Sequence, residues 1–251
     1  MSLSDPASSL SFGGVLKSAL LAGIVAALIV AAFHFVITEP VIEQAIAIEE
    51  LSDPGHSMEP APVSREVQRV GLFVGFVLYG LTWALFYSVA FQLTRGRFNS
   101  SSLRKHSYVL AAAACWGVAL LPFLKYPANP PGVGEPESIA FRQTAYVGML
   151  ALSVAGVIVA AIVGRLVAQR TRNALAPWLA GIAVLAVYSG IIFALMPGNP
   201  DPIKIPVWMV DGFRVRSAAG LVLFWILMGG AFAFFAQRSA QPRTAAAPRT
   251  A

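Results

Sequence analysis

The residues best suited to chemistry stand together early in the chain: His34, then Thr38-Glu39-Pro40, Glu43 and Glu50, with His56 following. Thr38 is a good helix N-cap, and an acid and a proline are both favoured in the first turn after it. A helix over 39–51 sets Glu39, Glu43 and Glu50 within roughly 40° of one another, at about 100° per residue. Carboxylates and imidazole suit divalent ions of borderline or hard character such as cobalt, nickel, zinc and manganese. They bind metal when deprotonated, so affinity for such a set rises with pH. His34, Glu39 and Glu43 are therefore the leading candidate metal ligands, with Glu50 and His56 behind them. Each also has a plainer use: a solvated helix face for the glutamates, a hydrogen bond to a neighbouring helix for His34, and a loop position for His56.

What must position these groups is a set of helices in lipid. Six apolar runs, Val15–Ile37, Val70–Leu93, Tyr108–Leu124, Ala145–Val163, Trp178–Met196 and Ala218–Phe235, each approach the roughly 20 residues that a helix needs to cross a bilayer. The chain is 57% hydrophobic and only 12% charged, too much apolar surface for one soluble core. With no water at membrane depth, helices satisfy their own backbone groups. The expected fold is an all-α integral membrane protein, with a six-helix domain over 13–236 between mobile tails at 1–12 and 237–251. His34 then sits at membrane depth, where an ionisable side chain is costly and is a functional candidate by default.

Charge sets the expected orientation. Arg95, Arg97, Arg104, Lys105, Arg165, Arg170 and Arg172 fall in one set of connections, which with the tails contains a single acid, Asp5. The other set is net acidic. Positive charge favours the cytoplasmic side, so both termini are expected there, with three outward hairpins. The net charge of +6 thereby serves topology and anionic lipid, not nucleic acid. Asn129-Pro130 and Asn199-Pro200 occupy corresponding places in two hairpins. That admits a degenerate two-helix repeat, or only the rule that proline gathers where helices end. Gly71-x-x-x-Gly75 and Gly156-x-x-x-Ala160-x-x-x-Gly164 are spaced for close helix contact.

A second candidate site is the stiff stretch around Lys125, Tyr126, Asn129 and Pro130, with Arg142 after it. Pro122, Pro127, Pro130 and Pro131 leave few backbone donors there; such a segment fits a pore-mouth plug, a partner-docking loop or an interfacial turn. A third is Asp211 and Arg214, three apart, which can pair on a helix start for a few tenths of a kcal/mol at a wet surface. The sole cysteine, Cys115, allows no internal disulfide. No phosphate-cradling, zinc-hydrolase or nucleophile-elbow motif is present, so neither an enzyme nor a self-contained ATPase is expected, and no permanently bound cofactor.

Several stretches together resemble the CbtA family, described as the probable cobalt transporter subunit. They are Thr38-Glu39-Pro40-Val41-Ile42-Glu43, Arg69-Val70-Gly71-Leu72-Phe73-Val74-Gly75, and above all Lys125-Tyr126-Pro127-Ala128-Asn129-Pro130-Pro131 with Arg142 and Tyr146. The resemblance implies a multi-pass protein of the bacterial cytoplasmic membrane that helps import Co²⁺. It also implies a small single-span partner, CbtB, with a histidine-rich end. It carries no ligand set, so His34, Glu39 and Glu43 rest on the chemistry above. Two other readings stay open: a non-conducting assembly or partner-binding subunit, and a transporter of a non-metal solute.

Overall fold

The computed structural model describes residues 10–52, 63–95, 102–131, 133–203 and 205–240. Among these residues eight α-helices run in order: α1 (Phe12–Ile37), α2 (Glu39–Ser52), α3 (Arg65–Thr94), α4 (Leu103–Ala114), α5 (Leu121–Lys125), α6 (Ile139–Arg170), α7 (Ala176–Leu195) and α8 (Val207–Ala240). Among the described residues there is no strand. Six stretches of the described residues are long and apolar enough to cross a membrane: Phe12–Ile37, Arg65–Thr94, Leu103–Lys125, Pro136–Arg170, Ala176–Leu195 and Val207–Ala240. They are the six expected spans. Most run further than their apolar stretches, because the backbone hydrogen-bond ladder does not stop where hydropathy falls. Asp211, Arg214 and Arg216 consequently lie on α8 and Arg142 on α6, where the sequence suggested connections.

The third span is continuous but not uniform. Between α4 and α5, Cys115–Leu120 forms a π-helical turn, and the Leu121 N–H donates to Trp116 O, five residues back. Pro122 follows at once. A proline offers no N–H and its ring crowds the preceding turn, so one helical bond is lost there in any case. The wider turn absorbs that mismatch, and the helix neither breaks nor ends.

The chain divides into two compact units. One takes residues up to Ala31, Gly71–Ala112 and from Phe224 onward; the other takes Ala32–Val70 and Ala113–Leu223. In the first unit α1 buries Val15, Ala19, Ala22, Gly23, Ala26, Ala27 and Val30, all on one helical stripe. These small residues let α3 come close: a Cβ on Gly23 would meet the Gly80 carbonyl, and a Cβ on Gly80 would meet that of Gly23. Further along, Tyr87 and Phe91 stack edgewise or tilted on Phe232 of α8, with centroids 5.1 and 4.7 Å apart. Ser107 ties α4 to both neighbours, accepting at its carbonyl from the Tyr87 hydroxyl at 2.7 Å and donating to Gly229 O at 2.6 Å.

In the second unit α6 and α7 run antiparallel. Gly164 lies against Pro177, Gly181 against Ala160, and Gly156 under the Tyr188 ring. The spaced small residues of α6 are thus used for packing, as expected. Those of α3 find no such neighbour among the described residues: nothing there lies within 4 Å of where a Cβ would stand on Gly71 or Gly75. Around α6 and α7, Leu121, Met149 and Ile192 form a buried cluster with Trp116, Tyr126, Tyr188 and Met196 packed on it.

Candidate functional site

The candidate residues that the structure describes belong to the second unit. α1 ends at Ile37 and α2 begins at Glu39, with Thr38 as the single turn residue between them. The Thr38 carbonyl accepts from Val41 N and Ile42 N, closing the first turn of α2, while its hydroxyl lies 2.8 Å from His34 Nδ1. The other edge of the imidazole packs on α8 at Gly220, where a Cβ would overlap Nε2. His34 is therefore seated between a threonine and a helix backbone.

α2 is a helix, as the spacing of its residues predicted, and its two faces differ. Val41 and Ala45 join Ile205, Met209 and Val210 in a buried apolar cluster, with Ile48, Val133 and Phe213 packed against it. Glu39 and Glu43 meet the start of α3 instead. Arg65 Nη2 lies 2.7 Å from Glu39 Oε1, Arg69 Nε lies 3.5 Å from the same oxygen, and Arg69 Nη2 pairs with Glu43. The Glu39 side chain is only 10% exposed, against 47% for Glu43. Arg65 also donates to Gln68 at 2.5 Å, which steadies its own turn.

Arg65 and Arg69 are partners that sequence reasoning missed. Their signal is present all the same: Glu39 and Glu43 are four apart, and so are Arg65 and Arg69, so each pair projects from one helix face. Among the described residues no three His, Cys, Asp or Glu side chains gather as a metal group. Glu50 falls within α2 and its side chain lies outside the described residues, as does the whole of His56.

The proline connection is anchored at both ends. Lys125 Nζ donates to Phe193 O at 2.8 Å and lies 4.9 Å from the centre of the Phe193 ring, at the C-terminal end of α7 where cations are favoured. The Tyr126 hydroxyl donates to Pro197 O at 2.7 Å, and burial pushes the phenol pKa up from its ordinary value. Asn129 Oδ1 accepts from Arg214 Nη2 at 2.8 Å, and Pro130 is fully buried. Arg142 Nε lies 3.2 Å from Asp201 Oδ2, and Arg142 Nη2 donates to Glu135 O at 3.2 Å. Ser138 Oγ lies 2.9 Å from both Glu135 O and Asp201 Oδ2. Gly134, at φ 113°, carries the turn beneath the Arg142 guanidinium; a side chain there meets both a strained backbone and that guanidinium.

The expected Asp211–Arg214 pair does not form among the described residues. Arg214 is directed to Asn129, whereas Asp211 lies exposed on α8. A wet i,i+3 pair contributes a few tenths of a kcal/mol, less than a hydrogen bond from a charged donor to a half-buried amide. Asp201, which no spacing rule singled out, is the acid that does pair, with its side chain 3% exposed.

With this geometry in view, residues 12–237 match the CbtA family, described as a probable cobalt transporter subunit. The chain belongs to that family. The match spans all six membrane-crossing helices nearly end to end and includes the ion-paired start of α2 and the anchored proline connection. No curated protein and no solved structure matches the chain. As a member of that family, with six helices long and apolar enough to cross a membrane among its described residues, it is a multi-pass membrane protein of a family described as a probable cobalt transporter subunit.

Proposed function

We propose that the chain takes up divalent metal, Co²⁺ in particular, through an entrance formed by His34, Glu39 and Glu43. Both termini lie in the cytoplasm, the spans form three hairpins, and the connections bearing Asp201 and the prolines face outward in a bacterial cytoplasmic membrane. Glu50 and His56 are further candidate ligands. Lys125, Tyr126, Asn129, Pro130 and Arg142 hold the neighbouring connection in shape. With no nucleotide-binding motif in the chain, the driving force is an ion gradient, the membrane potential or a second subunit. A small single-span protein with a histidine-rich end, like CbtB, presents the metal.

The observation that carries this reading is membership of a cobalt transporter family in a chain that keeps the Glu39 carboxylate 10% exposed at the end of a membrane helix. A buried charge at such a place costs free energy that packing does not require. Cobalt accumulation in cells expressing the chain tests it. Glu39→Gln and His34→Ala, at matched protein levels, are each expected to lower initial uptake by roughly tenfold or more. Unchanged accumulation in both removes these residues from the path.

A further inference from the structure

α2 is held on its two faces by forces of different kinds. Its apolar face (Val41, Ala45) is buried with Met209 and Val210 of α8, a contact indifferent to ions. On its other face Glu39 and Glu43 are ion-paired and hydrogen-bonded to Arg65 and Arg69 of α3. The ionic face is also uneven in depth. Glu39 is 10% exposed, while the side chains of Arg65 and Arg69 are 33% and 39% exposed. The two carboxylates and two guanidiniums cancel. A divalent cation placed on the same carboxylates would add two positive charges within a few ångströms of the guanidiniums, and like charges at that distance repel strongly outside bulk water. Cation and arginines therefore exclude one another. Arg69 has another acid within reach when it lets go, since Glu66 lies three residues earlier on its own helix, at the spacing that allows pairing.

We infer that Arg65 and Arg69 act as a built-in counter-cation latch: they occupy Glu39 and Glu43 at rest, and divalent metal reaches those carboxylates only as the guanidiniums let go, freeing the start of α3 from α2. This rests on the reading that Glu39 and Glu43 receive the metal. It adds that loading the entrance and uncoupling the two helices are one event. A purely structural clamp behaves in the opposite way, since removing its arginines strands a buried carboxylate and weakens everything built on it.

The test uses the full chain, purified in detergent, with CoCl₂ as the probe. In the unaltered protein, saturating Co²⁺ is expected to speed amide hydrogen exchange over residues 65–70 while leaving residues 41–45, on the apolar side, little changed. Calorimetric titration of the Arg65→Gln, Arg69→Gln double variant is expected to show Co²⁺ binding roughly tenfold tighter, or about 1.4 kcal/mol. Adding Glu39→Gln and Glu43→Gln is expected to abolish that gain. If Co²⁺ binds the unaltered protein through the glutamates but exchange over 65–70 stays the same or slows, the latch is wrong and the entrance stands. Weaker binding by the arginine variant likewise overturns the latch and spares the entrance. If Glu39→Gln with Glu43→Gln leaves Co²⁺ binding unchanged, the entrance itself falls and the latch with it.

Discussion

Two stretches of α3 hold their neighbours by opposite means. At Gly80 the helix meets α1 backbone to backbone, with no room for a single added carbon. At Arg65 and Arg69 the same helix meets α2 through partly exposed side chains that reach to its carboxylates. Where lipid is the medium, apolar side chains gain nothing by leaving it, and only close fit or a hydrogen bond distinguishes one neighbour from another. Where the helix ends approach water, charge and hydrogen bonds can select partners, and they do so again at Arg142–Asp201 and Arg214–Asn129. Contacts made by shape are unforgiving of volume. Contacts made by charge respond to other ions, which is the property a cation entrance needs.

The largest effect that would break this contrast is steric. Gly80→Leu is expected to destabilise the protein by about 3 kcal/mol or more, the top of the overpacking range, because the obstacle is a backbone carbonyl. Thermal unfolding in detergent measures it. Gly75→Leu, on the same helix at a position with nothing within 4 Å, should stay within about 0.5 kcal/mol of the parent. Equal losses in the two variants would refute the assignment of the contact to Gly80.

A smaller loss is expected where charge does the holding. Asp201→Asn should cost about 2 kcal/mol, below the range for a fully buried pair because Arg142 is 30% exposed. In a double-mutant cycle with Arg142→Gln, the combined loss should be clearly less than the sum of the single losses, since both remove one interaction. Strict additivity in the same unfolding assay would show that the two side chains do not depend on each other.

The smallest effect sharpens the role of the proline connection. Asn129→Ala should cost about 1 kcal/mol, a hydrogen bond from a charged donor in a half-buried place. Its clearer sign is faster protease cleavage between Tyr126 and Pro136, measured on folded protein. Cleavage at the parent rate would mean that Pro130 and Tyr126 hold the connection without the Arg214 contact.

Much of the architecture was legible in advance, and the reasons are particular. Thr38-Glu39-Pro40 announced a new helix because cap, acid and proline are local preferences, and α2 begins there. Gly156, Ala160 and Gly164 announced a packing face, and α7 lies on it. The same rule misled at Gly71 and Gly75, because spacing reports that a close approach is permitted without reporting that a neighbour takes it up. Arg65 and Arg69 were hidden as partners for another reason: they lie 26 residues beyond the glutamates they meet, and opposite charges abound in any chain. The π turn before Pro122 had one clue, the proline, but a kink, a break and a wider turn all satisfy that clue equally.

The sequence by itself determined that six helices among the described residues are long and apolar enough to cross lipid, that another, α2, follows the first, and that His34 lies close before it. Each is settled by hydropathy and local bonding within a few turns, needing no knowledge of what lies opposite. Only the tertiary structure decided that Glu39 is shared by two arginines, that Arg142 meets Asp201 while Arg214 meets Asn129, and that a glycine on α8 seats the imidazole. Crossing a bilayer is a property of one segment, set by its own transfer free energy. Pairing is a property of two segments, and the small differences in fit and electrostatics that choose among many candidate partners exist only once the helices stand side by side.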